Sequence, residues 1–205
     1  MVKNAKQPCG AVRNYFDRLA QAWDNGRSDC SAINAILDRF GPLDGKTVLD
    51  VACGAGVLYP FLTARKAARI SAVDISPEMC RIYREKYPGA EVLTGDFERE
   101  LFKGLQFDRV IIYNAFPHFE NPEAVFANAF HLLKRGGSLL IAHSMNRAEL
   151  DEHHRRAGKE VAEHVLISDD EFSALYRRTG FTGVTVNNGA YFYSEGRKPY
   201  NETAS

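Results

Sequence analysis

The stretch "TVLDVACGAGVLYPFL", residues 47–62, passes from an apolar, strand-like run through two glycines into a helical pattern. A strand followed by Gly54 and Gly56, and then by a helix beginning near Val57, places a ligand at the carboxyl edge of a sheet, where open α/β sheets bind their ligands. Glycine lets the backbone approach a ligand closely because it has no Cβ atom. Pro60 falls in the first turn of the helix, where proline is tolerated. We therefore predict a ligand-binding loop, although a tight strand-to-helix turn has the same pattern.

The residues around these glycines argue against a pyrophosphate ligand. The dinucleotide-binding fingerprint requires Gly or Ala three residues after its second glycine, and this chain has the bulky Tyr59 there. No Gly-Lys-Ser/Thr follows, so a P-loop is excluded as well. Asp50, just ahead of the glycines, would repel a phosphate and suits a ligand that carries a positive charge. The loop therefore disfavours an oxidoreductase that uses NAD.

The rest of the chain alternates between strand-like runs and helical patterns, which indicates a largely parallel sheet covered by helices. Ser76 and Asn121 are predicted N-caps, each followed by proline, and Gly136-Gly137 suits a helix C-terminus. Strands are predicted at about 46–51, 70–74, 91–94, 108–113 and 138–143, with helices at about 77–87 and 122–134.

The C-terminal part predicts a different connection. In "TGVTVNNGAYFY", two runs rich in β-branched and aromatic residues are joined by Asn188-Gly189. Asn-Gly tolerates positive φ at both turn positions, so we expect a β-hairpin whose last strand runs antiparallel to the rest. The polar tail from Glu195 onward is expected to fray.

Two further acids follow successive predicted strands. Asp74 ends the second strand, where a carboxylate can accept hydrogen bonds from both ribose hydroxyls of a nucleoside. It could also be a helix cap or a surface acid, but Ser76 already fills the cap position. Asp96 follows the third strand and could bind the exocyclic amine of adenine beside Phe97, although Gly95-Asp96 is also an ordinary turn pair. Three acids after three successive strands are hard to assign to chance.

These segments together resemble a known family. "VLDVACGAG", "AVDIS" and "GDF" are similar to motifs I, II and III of the class I S-adenosylmethionine-dependent methyltransferases, and "DRVIIYNAFPHF" is similar to the fourth. The resemblance covers about residues 15–194. It implies a single α/β domain over 1–205 with a Rossmann-like, doubly wound, seven-stranded sheet of order 3-2-1-4-5-7-6 and strand 7 antiparallel.

The resemblance also implies roles for particular residues. The cofactor's methionine end would meet Asp50, Ala52, Gly54 and Gly56, its ribose Asp74 and Ile75, its adenine Asp96 and Phe97, and its sulfonium Asn114 and Ala115. Two departures stand out: Ala52 occupies a position that is often Gly, and residues 114–117, Asn-Ala-Phe-Pro, lack the Asn/Asp-Pro-Pro-Tyr/Phe signature of amino-methylating enzymes. The second departure weakens a nucleobase or amide nitrogen as the acceptor.

The N-terminal helical segments, about residues 11–40, carry one apolar face. Phe16, Ala20 and Trp23 are spaced i, i+4 and i+7 and so share this face. Such a stripe is typical of core packing. It could also cover the cofactor, with Tyr15, Phe16 or Trp23 against it.

Five of the six histidines lie in or near the rim of the predicted site: His118, His143, His153, His154 and His164. The sixth, His131, falls inside a predicted helix and is expected to be a packing or surface residue. The segment at about 144–168 is long for a connection and suits either a lid over the acceptor or a solvated helix. Its common face would comprise Arg147, Leu150, His154, Gly158 and Val161.

We expect His118, His143 and His154 to line the acceptor pocket. A neutral imidazole can take a proton from an acceptor hydroxyl or thiol, or orient that group. The same side chains could instead bind a divalent metal, but no standard ligand spacing supports this. A purely structural role is the third alternative.

The bulk composition limits the partners. The 26 basic and 26 acidic residues give a formal charge of zero, so a general attraction to nucleic acid or to an anionic membrane is not expected. The four cysteines form no CxxC pair, and no signal peptide or long apolar run is present, so we expect a cytoplasmic protein.

The favoured function is methyl transfer from S-adenosyl-L-methionine to a small-molecule acceptor. The alternatives are methylation of a protein or RNA, and a non-catalytic regulatory protein that binds the cofactor. The sequence leaves the acceptor atom and the oligomeric state open.

Overall fold

The computed structural model describes residues 9–20, 30–99, 104–157 and 164–200. The helices are α1 (Cys9–Leu19), α2 (Cys30–Phe40), α3 (Tyr59–Ala64), α4 (Pro77–Lys86), α5 (Pro122–Leu132), α6 (Arg147–Ala157) and α7 (Asp169–Thr179). The strands are β1 (Thr47–Val51), β2 (Arg69–Asp74), β3 (Glu91–Thr94), β4 (Phe107–Tyr113), β5 (Leu133–His143), β6 (Thr182–Asn188) and β7 (Phe192–Arg197). A single 3₁₀ turn, Phe116–His118, follows β4.

The described strands form one seven-stranded sheet in the order β3-β2-β1-β4-β5-β7-β6. β1 to β5 pair in parallel, whereas β7 is antiparallel to both β5 and β6. The predicted strand order and the antiparallel strand are therefore confirmed. Val51 at the end of β1 is in register with Val73 of β2 and Ile112 of β4, so these three strands end together and bring their following loops to one edge.

The two faces of the sheet bury separate apolar clusters because side chains alternate along each strand. On β1, Leu49 and Val51 face the cluster that α5 and α7 cover, whereas Val48 faces the cluster that α2 covers. Each fully buried aliphatic or Phe side chain contributes about 1.5–3 kcal/mol relative to an exposed one. None of the helices among the described residues is both long and apolar enough to cross a membrane.

The local start signals for two helices are confirmed. The Ser76 side chain accepts a hydrogen bond from the Met79 amide at 3.1 Å, and the Asn121 side chain accepts one from the Ala124 amide at 3.0 Å. Proline follows each cap, where its missing N–H removes no helical hydrogen bond. The predicted helix start near Val57 is two residues early, since α3 begins at Tyr59 after a turn.

The predicted end of the helix over 122–134 is wrong. The helix ends at Leu132, and the Gly-Gly pair lies inside β5 instead of capping the helix. Phe107 of β4 pairs with Leu133 of β5, and Arg109 pairs with Ser138. The paired residues are two apart on β4 but five apart on β5, so β5 bulges here. A Cβ atom on Gly137 would lie 2.9 Å from the Asp108 carbonyl oxygen, so the bulge requires glycine at this position.

The C-terminal hairpin forms, but not with the expected turn. Neither Asn188 nor Gly189 has a positive φ, and three residues separate the strands. Tertiary contacts set this wider loop, because the Asn188 side chain accepts a hydrogen bond from the Arg147 amide at 2.8 Å. The predicted fraying from Glu195 is also wrong, since Glu195 pairs with Leu140 and β7 continues to Arg197.

We predict that Gly137→Ala destabilises the fold by about 1–3 kcal/mol, because the added methyl group would overlap a backbone oxygen that cannot move freely. The measurement is the free energy of unfolding by urea denaturation. Gly189→Ala is the matched control, since its Cβ atom would meet only the side chain of Asn187 at 3.3 Å in an exposed loop. The control should stay within about 0.5 kcal/mol of the parent protein. Equal losses in both variants would contradict this account of the bulge.

Candidate functional site

The loop after β1 has a strained backbone. Ala52 has φ 53°, Gly54 φ 52° and Gly56 φ 89°, all in the left-handed region that favours glycine. At Gly56 a Cβ atom would also lie 2.9 Å from the rings of Tyr83 and Tyr87, so glycine is required there on two grounds. A non-glycine residue such as Ala52 in this region costs of order 1–3 kcal/mol, and such strain clusters at functional sites.

Tyr59, the residue that excludes the dinucleotide-binding fingerprint, has a structural role. The Tyr59 ring packs against the Tyr83 and Tyr87 rings, with centroids 5.8 and 4.6 Å apart. The three tyrosines thus form an aromatic cluster beside Gly56. This arrangement accounts for the bulky residue that the sequence places there.

Asp74, the last residue of β2, stabilises the glycine loop after β1. Its Oδ2 accepts a hydrogen bond from the Gly54 amide at 2.8 Å, and its Oδ1 accepts one from the Ser76 amide at 2.9 Å. Burial raises the pKa of Asp74 to about 6, although both of these hydrogen bonds act in the opposite direction. Each carboxylate oxygen keeps a second lone pair that can accept a ligand hydroxyl.

Asp50 is a buried acid with one carboxylate oxygen, Oδ2, that has no hydrogen-bond partner among the described residues. Its side chain is 2% exposed. Burial, with a smaller contribution from the nearby charge of Asp74, raises the pKa of Asp50 to about 8. A cationic ligand group would supply the missing partner and favour the ionised carboxylate.

The residues predicted for adenine lie at the end of β3. Asp96 is half-buried, with its Oδ2 3.0 Å from Arg99 Nε, and its Oδ1 accepts the Glu98 amide at 3.0 Å. The Phe97 ring is buried within the main core, and the half-buried Ile75 follows β2 at the same edge. Asp96 and Ile75 therefore keep accessible surface beside the loop, whereas Phe97 also serves the core.

The fourth strand ends in a second strained residue. Asn114 has φ 54°, and its Oδ1 accepts a hydrogen bond from the Ser144 amide at 2.8 Å, which joins the ends of β4 and β5. Ala115 is buried behind it. The left-handed residues Ala52 and Asn114 thus follow two adjacent strands. The sequence analysis missed this feature; asparagine tolerates the conformation, but nothing in the sequence marks Ala52.

Helix α1 lies on the glycine loop. Phe16 and Ala20 share one face, as predicted, and pack in a cluster with Ala55 of the loop and Met79 of α4. The Asp17 carboxylate accepts a hydrogen bond from the Ser76 hydroxyl at 2.5 Å, a tie that the sequence analysis missed.

The other N-terminal residues have separate positions. The Tyr15 ring stands edge-on to Phe16, with centroids 5.2 Å apart, and Trp23 lies outside the described residues. Helix α2 packs on the face of the sheet, where Ile33, Ile36 and Leu37 are buried. Helix α1 therefore packs on the glycine loop at Ala55, whereas α2 shares its apolar cluster with Val57 and Leu58, just before α3.

Three of the histidines come together beside α1. His118 Nδ1 lies 2.8 Å from His164 Nδ1, and the rings of His118 and His154 have centroids 5.3 Å apart. The Phe16 ring packs edge-on against His118 at 5.1 Å. Burial and the neighbouring histidines, His164 first, lower the pKa of His118 well below 6.5, so this imidazole is neutral at cellular pH.

His143 lies at the end of β5 and is 1% exposed, and both of its ring nitrogens are buried without a hydrogen-bond partner. Burial, followed by the positive charges that His154 and Arg147 can carry, lowers its pKa to about 3. Of the remaining histidines, His131 is exposed on α5, as predicted, and His153 is exposed on α6. Buried polar atoms without partners mark His143 as a ligand-binding candidate.

Helix α6 presents the predicted face inward. Leu150 and His154 are both 5% exposed, while Gly158 and Val161 lie outside the described residues. The Arg147 guanidinium donates to the carbonyl of Leu166 at 2.6 Å and to that of Ile167, and it pairs with Asp169. Arg147 therefore ties α6 to the segment before α7, and the predicted common face of α6 is buried at Leu150 and His154. That this segment is a lid stays a prediction.

The geometry does not favour a metal centre. Within 9–20, 30–99, 104–157 and 164–200, no group of three or more His, Cys, Asp or Glu residues could hold a metal ion. The side chains of His118 and His164 instead form a hydrogen bond with each other, and that of His154 forms one with a backbone carbonyl.

Comparison with known proteins finds similarity to methyltransferases. Residues 48–137 match the methyltransferase domain family. The chain is 34% identical over 113 residues to a ubiquinone biosynthesis O-methyltransferase of Xylella fastidiosa, which covers 52% of this chain and 44% of that protein. It is 30% identical over 145 residues to a demethylmenaquinone methyltransferase of Chlorobaculum tepidum, covering 66% and 60%. The chain thus spans about half the length of these curated relatives.

The fold is shared with a solved structure of phosphoethanolamine N-methyltransferase 2 from Haemonchus contortus in complex with S-adenosyl-L-methionine. The TM-score is 0.76 at 18% identity, and the likeness covers 92% of this chain and 60% of the other. The fold and the strand order 3-2-1-4-5-7-6 agree with the resemblance to the class I S-adenosylmethionine-dependent methyltransferases, and residues 48–137 match the methyltransferase domain family.

Proposed function

We propose that the protein transfers a methyl group from S-adenosyl-L-methionine to a hydroxyl group of a small, neutral acceptor. The observation that carries this proposal is the partnerless, uncharged His143 at the edge of the sheet, close to His118 and His154. A neutral imidazole can accept or orient a hydroxyl proton, whereas buried neutral histidines offer no charge for an anionic acceptor. The names of the two curated relatives, one of them an O-methyltransferase, support a small-molecule acceptor.

The cofactor would lie along the carboxyl edge of β1, β2, β3 and β4. Asp50 would bind its ammonium group, because that buried acid lacks a partner and has a raised pKa. The open lone pairs of Asp74 would accept the ribose hydroxyls, beside Ile75. The remaining proposed contacts are Ala52, Gly54 and Gly56 at the methionine end, Asp96 and Phe97 at adenine, Asn114 and Ala115 near the sulfonium, and Tyr15 and Trp23 above the cofactor.

S-adenosylmethionine supplies a methyl group on a positively charged sulfur, which leaves in a direct displacement by the acceptor. The protein must align the hydroxyl and keep water out. Helix α6 would close the acceptor pocket with its buried face at Leu150 and His154. His118, His143 and His154 would orient the hydroxyl and take its proton.

We also propose a cellular location and a class of acceptor from the cysteines and the net charge. Cys30, Cys53 and Cys80 are free thiols, which is the usual state in the cytoplasm, where we place the protein. The zero net charge favours a small-molecule acceptor over RNA. A divalent metal bound by the histidines is the less favoured alternative, since His118 and His164 already contact each other through ring nitrogens.

We predict that Asp50→Asn weakens binding of S-adenosyl-L-methionine by at least about tenfold, because the amide cannot provide a charge-assisted hydrogen bond to the ammonium group. Isothermal titration calorimetry measures this loss. Methylthioadenosine, which lacks the amino acid end, is the control ligand and should bind both proteins equally. Equal losses for the two ligands would contradict the assignment of Asp50 to the ammonium group.

The same variant tests the protonation of Asp50. With a folded pKa of about 8 and an ordinary value of 3.8, the stability due to its protonated form is present at low pH and lost as the pH rises through about 8. Asp50→Asn should therefore raise the melting temperature of the ligand-free protein more at pH 8 than at pH 5. Cofactor binding by the parent protein should release protons near pH 7, which calorimetry in buffers of different ionisation enthalpy detects.

We predict that Asp74→Ala weakens the binding of both S-adenosyl-L-methionine and methylthioadenosine, by about 1.5–3 kcal/mol, since both ligands carry the ribose hydroxyls. For a 2′-deoxy analogue, which lacks one ribose hydroxyl, the difference in affinity between the variant and the parent protein should be smaller. Unchanged affinity for all three ligands in the calorimeter would refute the ribose contact. The variant also loses the hydrogen bonds that Asp74 accepts from the Gly54 and Ser76 amides, and urea denaturation measures how much this loss lowers the free energy of unfolding.

We predict that His143→Ala and His154→Ala each lower turnover at least about tenfold while cofactor affinity stays nearly constant, as expected for residues that serve the acceptor. The acceptor is first found by a screen of phenols, thiols and metalloids that measures release of S-adenosylhomocysteine. His131→Ala, an exposed histidine on α5, is the matched control. Unchanged turnover in both variants would return these histidines to a structural role, and activity on RNA or protein alone would overturn the small-molecule proposal.

A further inference from the structure

The contact between His118 and His164 joins two ring nitrogens directly. The distance from Nδ1 to Nδ1 is 2.8 Å, so one ring must donate a proton and the other must accept it. Two neutral imidazoles satisfy this contact only in complementary tautomers. The pair can therefore hand a proton from one ring to the other without any movement of the backbone.

Within the described structure, the neighbouring His154 is hydrogen-bonded to a backbone carbonyl and not to another imidazole. Its Nδ1 lies 2.5 Å from the carbonyl oxygen of His164, and a carbonyl oxygen can only accept a hydrogen bond. His154 Nδ1 must then carry a proton. A second proton taken by its Nε2 would have no onward path, because the carbonyl cannot receive one.

His143 has no onward path either, since neither of its ring nitrogens has a hydrogen-bond partner in the described structure. His118 is thus the member of the proposed acceptor set that is hydrogen-bonded to another base. It also stands against Phe16 of α1, the helix that packs on the glycine loop, so it lies between that loop and α6.

We propose, resting on the proposed methyl transfer to a hydroxyl group, that His118 and His164 form a proton relay. The acceptor's O–H bond breaks, its proton moves to His118 Nε2, and its electron pair stays on oxygen. That oxygen forms the new bond to the methyl carbon, while the carbon–sulfur bond breaks and leaves its electron pair on sulfur. His118 passes its Nδ1 proton to His164 Nδ1, and His164 releases its Nε2 proton to solvent.

The surroundings favour this direction of transfer. Both rings are only partly exposed, and burial among other histidines lowers the pKa of His118. A proton therefore does not rest on His118, and His164 is the base that its Nδ1 contacts. The other titratable or charged groups around the cluster are His143 on β5 and Arg147, Asp151, His153 and His154 on α6.

The relay assigns a positioning and proton-accepting role to His164, which the sequence analysis had placed only at the rim. His164→Gln keeps a hydrogen-bonding side chain but cannot carry a proton. We expect it to lower kcat at least about tenfold at pH 7, with the acceptor KM and the cofactor affinity within about twofold of the parent values. The loss should shrink as the pH approaches about 10, where a phenolic hydroxyl ionises without a base. Added imidazole should restore part of the turnover of His164→Ala.

His153→Ala is the matched control, because His153 is exposed on α6 and its ring is 6.1 Å from that of His154. It should leave kcat unchanged. Normal kcat in His164→Gln, or a rise in KM with no loss of kcat, would overturn the relay while leaving the methyl transfer intact. Absence of transfer by the parent protein to any acceptor in the screen would overturn both.

A second measurement does not depend on activity. Long-range ¹H–¹⁵N NMR spectra of the parent protein report which ring nitrogen carries the proton. The relay requires His118 with its proton on Nδ1, His164 with its proton on Nε2, and His154 with its proton on Nδ1. His118 protonated on Nε2 alone would contradict the proposed direction of transfer.

Discussion

The two hydrogen bonds that the Asp74 carboxylate accepts connect the parts of the cofactor edge. One comes from the amide of Gly54 in the loop after β1, and the other from the amide of Ser76 at the start of α4. Ser76 in turn donates to Asp17 of α1, so the helix above the loop depends on the same network. Because β1 and β2 end in register, one buried carboxylate can hold loop, helix cap and covering helix together.

The carboxyl edge of the sheet contains destabilising features at the place where we propose that ligands bind. Asp50 and His143 are almost completely buried, and both have polar atoms without partners. Burial shifts each group towards its neutral form, raising the pKa of Asp50 and lowering that of His143. An unsatisfied buried group costs about 1–3 kcal/mol. The left-handed Ala52 adds backbone strain at the same edge, and all three costs fall where a cofactor and an acceptor would meet.

The proposed acceptor side is built differently from the proposed cofactor side. The proposed cofactor side consists of strand ends and carboxylates at the edge of the sheet. The proposed acceptor side consists of α6 and the segment before α7, which Arg147 and the His154–His164 hydrogen bond tie to each other. These polar ties hold His154 and His164 beside His118.

The sequence by itself determined the alternation of strands and helices, the glycine loop, the helix caps at Ser76 and Asn121 and the three strand-end acids, because these depend on local periodicity and short-range hydrogen bonding. The strand order was implied only by the resemblance to a known family. It misplaced Gly136-Gly137 and the hairpin turn, since a β-bulge against Asp108 and the contact between Arg147 and Asn188 involve residues far apart in the chain. Only the tertiary structure decided that Asp50 and His143 lack partners and that His118 meets His164, 46 residues away. Burial and ring-to-ring contact are properties of packing, and no local pattern encodes which buried atoms remain without a hydrogen bond.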